Sequence, residues 1–173
     1  MARKIPDSTQ RHALGAVFDR VVTPLLALGG KWIRRPTDGE LSAQSGRVRG
    51  GGDSVSAVAA LESGRRALSN SHYSEALVQF SLAIERDAQC MWAWHGRGDA
   101  FQLAGDFVAA LAAYDRALEL DAKSALSHLG RGNALMALKR VTEAHAAWMK
   151  VLEFEPDNHW AKTALSELDA SQA

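Results

Sequence analysis

The chain has 173 residues, 47% of them hydrophobic, with 20 Lys/Arg against 20 Asp/Glu. That length fits one domain with ample material for a core, and the balanced charge points to no particular class of partner. The single cysteine, Cys90, excludes an intrachain disulfide and fits a reducing compartment, and without an apolar run of about 18 residues no membrane span is expected.

The start lacks the uninterrupted apolar core of a secretory signal, and Asp7 and Asp19 argue against an organelle transit peptide. A cytoplasmic location is expected, at most peripheral to a membrane. From Ser8 to Leu28 the apolar residues Leu14, Val17, Phe18, Val21, Val22, Leu25 and Leu28 recur at spacings of three and four, which puts them on one helical stripe. Asp7 with Gln10 resembles a capping box, and Gly29-Gly30 is a stop. Pro24 removes a backbone bond inside this pattern, so a kink near 20–23 or two short helices are expected.

The basic segment Lys31-Trp32-Ile33-Arg34-Arg35 closes an N-terminal unit, 1–35. Residues 36–54, rich in Gly, Ser and Arg, read as a flexible linker with almost nothing to bury. Residues 1–56 carry nine Lys/Arg against five acids, so the remainder carries the opposite surplus. A basic arm on an acidic body fits attraction within the molecule, recruitment of something anionic, or ordinary solvated charge.

From Val55 to Ala170 the pattern becomes periodic. Gly64, Gly98 and Gly132 are 34 residues apart, as are Ala76, Ala110 and Ala144, and Phe80, Tyr114 and Trp148. Such a period marks a solenoid whose units bury their apolar faces only by stacking. Helix pairs are expected at 56–70 and 73–86, 91–104 and 107–121, 125–138 and 141–154. Breaks fall at Asn70-Ser71, Gly105-Asp106 and Lys139-Arg140, and a seventh helix runs from Asn158 to about Ala170. The units are 57–90, 91–124 and 125–158, with a cap at 159–170.

The middle unit reads Trp94-x2-Arg97-Gly98-x2-Phe101 and then Ala110-x3-Tyr114, and the third His128-x2-Arg131-Gly132-x2-Leu135, then Ala144-x3-Trp148 and Pro156. The first reads Ala60-x2-Ser63-Gly64-x2-Ala67, then Tyr73 and Ala76-x3-Phe80, and the closing proline is alanine at Ala88 and Ala122. Over residues 57–170 the chain resembles the tetratricopeptide-repeat (TPR) family. The resemblance implies an all-α, right-handed superhelix of three helix-turn-helix repeats with a C-terminal capping helix.

It also implies an inner groove lined by the first helix of each pair. The residues at those positions are Val58, Leu61, Glu62, Arg65 and Ser69; Trp92, His95, Gly96, Asp99 and Gln102; Leu126, Leu129, Gly130, Asn133 and Met136; and Trp160 and Thr163 in the cap. With two glycines and several apolar residues the surface reads as wide and apolar, with Arg65, His95, Asp99 and Asn133 as polar fixings. Trp92 and Trp160 have two readings, core between units or anchor for a partner. Trp94 and Trp148 sit at packing positions and read as core. Many TPR co-chaperones clamp a chaperone's C-terminal carboxylate with cationic and amide side chains. The matching positions here are Leu61, Arg65, Gly96, Leu126 and Gly130, of which Arg65 alone is cationic. No such clamp is expected, and the ligand is expected to be apolar or helical.

The function implied is a non-catalytic adaptor that holds a protein segment in its groove. Alternatives are a small chaperone for apolar segments of a client, and a subunit or assembly factor of a larger complex anchored through its arm. The stripe and basic segment (Leu14, Val17, Phe18, Val21, Leu25, Trp32, Arg34, Arg35) have three readings. They pack on the repeats in cis or in a swapped dimer and regulate the groove, dock to another protein, or lie on a membrane surface. The six histidines show no metal-ligand spacing, and no phosphate loop or dinucleotide fingerprint is present, so neither metal nor cofactor is expected. His95 and Asp99 lie one turn apart, but neither a nucleophile nor a second carboxylate joins them, so catalysis is not expected. The short clusters Lys31–Arg35 and Arg47–Arg49 support nucleic-acid binding poorly.

Overall fold

The structure is a computed structural model that describes residues 51–172, with side chains from 56 to 170. Seven helices follow one another among the described residues: α1 (Gly51–Ser69), α2 (Tyr73–Arg86), α3 (Met91–Leu103), α4 (Phe107–Leu120), α5 (Ala125–Ala137), α6 (Val141–Phe154) and α7 (His159–Gln172). Six of the seven agree with the periodicity to within two residues at each end. The exception is α1, which begins at Gly51, inside the stretch assigned to the linker. Adding residues to an existing helix is inexpensive once a packed nucleus exists, so the backbone carries on past the point where apolar spacing is readable. The N-terminal stripe 8–28, the expected kink at Pro24, the basic segment 31–35 and linker residues 36–50 lie outside the described residues.

Each helix packs on the next in sequence, and α1 also meets α3 and α3 meets α5. Successive odd-numbered helices thus lie side by side, so the stack curves toward them and they form its inner wall. The turn inside each repeat is the same structure three times. Ser71, Gly105 and Lys139, 34 residues apart, all have positive φ (60°, 85° and 61°). The following N–H groups of His72, Asp106 and Arg140 reach back to the carbonyls of Ala67, Phe101 and Leu135, each at 2.9 Å. This is a Schellman closure with a left-handed residue in the place glycine favours.

Turns between repeats lack two of the family's prolines, and side chains do their work. The Asp87 and Asp121 carboxylates each accept from the backbone N–H two residues on, Gln89 and Lys123, at 3.0 Å. Trp94 Nε1 donates to the Ala88 carbonyl at 3.0 Å, and His128 Nε2 lies 3.1 Å from that of Ala122. A carbonyl only accepts, so Nε2 of His128 carries the hydrogen. Trp94, expected in the core, is only half-buried; its ring is flanked by the Arg97 and Arg116 guanidiniums at 5.7 and 5.5 Å. Its position faces the turn rather than the centre of the repeat.

Phe80, Tyr114 and Trp148 fill the core and are fully buried. Each such side chain removes ~150–250 Å² from water, at most about 4–6 kcal/mol before entropy is counted. Ala161, Ala164, Leu165 and Leu168 of α7 are buried in the same cluster as Trp148, so the last helix closes the stack. Cys90 is buried in the first cluster, and burial pushes its thiol up, the reverse of what a nucleophile needs.

Candidate partner-binding groove

The inner wall is built by α1, α3, α5 and α7, and burial divides the expected groove residues into two sets. Gly96 and Gly130 do not widen it. A Cβ on Gly96 would stand 2.5 Å from Phe80, and one on Gly130 2.5 Å from Tyr114. The same rings also press on the glycine of their own repeat, Phe80 on Gly64 at 2.8 Å and Tyr114 on Gly98 at 2.6 Å. Each aromatic is therefore held between two glycines, one from its own first helix and one from the next repeat's. Ala164 takes the corresponding place beyond Trp148 and Glu62 the place before Phe80. Glu62 is exposed, so at α1 this packing register ends on a charge.

The polar fixings are also engaged inside the protein. The Tyr114 hydroxyl donates to Asp99 Oδ1 at 2.7 Å, and one repeat later Trp148 Nε1 donates to Asn133 Oδ1 at 3.2 Å. Burial, then the charge and hydrogen bond of Asp99, hold the Tyr114 phenol well above its ordinary range. In the first repeat the pair is Phe80 and Arg65, a ring with no donor and a side chain with no acceptor. His95, 6% exposed, places Nδ1 3.1 Å from Ser127 Oγ on the neighbouring α5 and Nε2 3.4 Å from Asp99 Oδ2. Ser124 and Gln102 extend this network, at 3.0 Å from Ser127 Oγ and 3.4 Å from the Tyr114 hydroxyl. His95, Asn133 and Gln102 are thus buried ties between helices rather than groove surface, and Asp99 is partly so. His95 faces α5, the neighbouring first helix, while Gln102 and Asn133 face the second helix of their own repeat.

Burial also moves Leu61 (1% exposed) into the first core cluster, and Leu129 and Met136 into the second. At the opening remain Val58, Trp92, Leu126 and Trp160, all half-buried and all 34 residues apart, with half-buried Arg65 and Thr163 and exposed Glu62 and Ser69 beside them. One apolar side chain per unit thus forms a column along the inner wall. Trp92 packs on the first cluster, edge-on to His95 at 6.1 Å, and its Nε1 is buried with no hydrogen-bond partner among the described residues. Trp160 packs on the second cluster. The arm residues Leu14, Val17, Phe18, Val21, Leu25, Trp32, Arg34 and Arg35 lie outside the described residues. Among the described residues no group of His, Cys, Asp or Glu could hold a metal, and no helix is long and apolar enough to cross a membrane.

A feature that periodicity alone had not singled out lies on the opposite wall. On α4 and α6 the outer face carries the ion pairs Arg116–Glu119 and Lys150–Glu153. On α2 the glutamate persists as Glu85, but Leu82 replaces the base, and Val78, 64% exposed, stands where the others have Ala112 and Ala146. Laying the three second helices in register would have shown it.

A family model described as TPR repeat matches residues 98–139. No curated protein matches the chain. Among solved structures it is similar to the Arabidopsis OM64 TPR domain, at 26% identity and TM-score 0.67, covering 68% of this chain and 98% of that one. It is also similar to the second TPR domain of human RPAP3 in complex with the HSP70 peptide SGPTIEEVD (23%, TM-score 0.65, 68% and 98%). The translocator chaperone SycD of Yersinia enterocolitica shares the fold at 16% identity and TM-score 0.63, covering 68% and 92%. With three helix pairs in a 34-residue beat, a closing helix, the family-model match over 98–139 and these neighbours, the described residues have the tetratricopeptide-repeat fold.

Proposed function

We propose that this protein is a non-catalytic adaptor that holds an apolar or helical segment of a partner protein along the inner wall. The observation that carries this reading is the column Val58, Trp92, Leu126 and Trp160 at the groove opening. Apolar anchors repeated along a groove match an amphipathic helix or an extended apolar segment. Burying the remaining face of Trp92 against a partner contributes ~1–3 kcal/mol. Its unpartnered Nε1 adds a reason for the indole to reorient on binding.

The RPAP3 neighbour is named with an HSP70 peptide ending in EEVD. Recognition of such a tail is not proposed here. Of the five positions that would grip it, Leu61 is core, Gly96 and Gly130 are filled by rings, and Leu126 is apolar, which leaves Arg65 alone. The chaperone reading, which the SycD neighbour's name also suggests, uses the same column and differs in releasing its client to refold.

Native lysate passed over the intact chain, Trp92→Ala and Leu126→Lys tests the groove. A protein retained by the first and lost on both variants supports it, whereas retention unaffected by either variant refutes it. In parallel, a Met-Glu-Glu-Val-Asp peptide is expected to bind no tighter than about 1 mM. Micromolar binding abolished by Arg65→Ala would overturn the assignment of these positions.

A further inference from the structure

The outer face of α2 is the surface left without an explanation. Leu77, Val78, Ser81, Leu82 and Glu85 line a shallow hollow of about 390 Å³. Helices of the same kind in the next two repeats cover the equivalent ground with charge pairs, so an exposed Val78 beside a half-buried Leu82 is not a requirement of the repeat. Glu85 lacks the base that its counterparts have one turn before them, since that residue is Leu82. This face therefore combines an apolar floor with an acid at its C-terminal edge.

The chain outside the described residues reaches this edge. Arg86 Nη1 donates to Ser56 Oγ at 2.6 Å, which ties the start of α1 to the end of α2. Residues 1–50 therefore join the repeats roughly 8 Å along α1 from this tie, near the C-terminal end of α2. That segment contains the stripe Leu14 to Leu28 and, next to its tether, Lys31, Arg34 and Arg35. Fifteen residues of Gly/Ser/Arg-rich chain, 36–50, have a random-coil reach of roughly 20 Å. The fourteen-residue α2 is about 21 Å long. Apolar pattern, charge sign and reach agree, and a tether of this length holds its cargo at about millimolar effective concentration.

We propose that the stripe 14–28 seats in cis on the outer face of α2, over Leu77, Val78 and Leu82, with Lys31, Arg34 and Arg35 toward Glu85. The seat lies on the wall opposite the groove, so the arm leaves the inner column open. A partner that competes for the stripe frees both the arm and this face, while groove binding proceeds independently.

Hydrogen exchange of the full chain, read by mass spectrometry, tests the seat. The variant Val78→Ala/Leu82→Arg copies the pattern that α4 already carries at Ala112 and Arg116. The wild type is expected to show amides 14–28 protected about tenfold or more over free chain, at all protein concentrations. The variant should lose that protection while α3 to α7 keep theirs, which shows that the fold is intact. Leu25→Asp, outside the repeats, should lose it equally. Absence of protection in the wild type, or protection that survives both variants, overturns the proposal. So does protection that rises with concentration, which means a second copy, or that needs vesicles of anionic lipid, which means a membrane surface. Failure of the groove test leaves this readout unaffected.

Discussion

Gly130→Ala tests the claim that this residue is a packing surface for Tyr114 rather than open groove. In a helix the change alone is favourable by about 1 kcal/mol. Here the new methyl group stands 2.5 Å from Tyr114 Cζ and 2.9 Å from its hydroxyl oxygen. The ring has little room to withdraw, since it also lies against Gly98, where a Cβ would be 2.6 Å from it. Overpacking of this kind costs ~1–3 kcal/mol. If the ring tilts, its 2.7 Å bond to the Asp99 carboxylate goes too, a further ~1.5–3 kcal/mol. The net expectation is a loss of up to about 2 kcal/mol with the ring in place and about 1.5–5 kcal/mol once it tilts, a large part of a typical domain's ~5–15 kcal/mol. Urea unfolding followed by helical circular dichroism should show the midpoint fall by about 1–2 M. In a Tyr114→Leu background the clash disappears, and the same change should stabilise by about 1 kcal/mol. A single variant as stable as the parent, or an equal loss in both backgrounds, would refute the sandwiched-ring account.

Lys139→Gly should stabilise by up to about 1 kcal/mol, because relief of the ~1–2 kcal/mol left-handed cost exceeds glycine's ~0.5–1 kcal/mol entropy penalty. A lower melting temperature would contradict it. His72→Asp transfers to α2 the cap that Asp106 gives α4, whose carboxylate accepts from Ala109 N at 3.0 Å while His72 makes no such bond. A gain of about 0.5–1 kcal/mol in chemical unfolding is expected, and no gain would mean that the transferred carboxylate does not cap. Tyr114 makes stability fall with alkali. Its folded pKa lies above the ordinary value of 10.0, so the unfolded chain releases the proton first and this group's contribution, level below about pH 10, declines above it. Tyr114→Phe should flatten that decline in unfolding measured from pH 8 to 12, and an unchanged slope would count against the buried phenol.

The helix pairs, their turns and their three interleaved aromatics were legible before any coordinates, because a 34-residue beat constrains many residues at once. Small residues at 64, 98 and 132, aromatics at 80, 114 and 148, and breaks at 71, 105 and 139 each repeat a local requirement of backbone or contact. The family resemblance supplied the positions expected on the inner wall. It did not reveal how much of that wall the neighbouring helix covers. Leu61, His95 and Asn133 have the same helical phase as groove residues, yet a second helix alongside removes them from reach.

The sequence by itself thus determined the repeat, because its unit is defined by contacts at fixed separations along the chain. The tertiary structure decided the site. Exposure depends on how closely successive first helices approach, and that distance is set jointly by Gly96, Gly130 and the rings they receive. Those residues turned from groove to core, and Val58, Trp92, Leu126 and Trp160 remained half-buried along the wall, the surface proposed above for a partner.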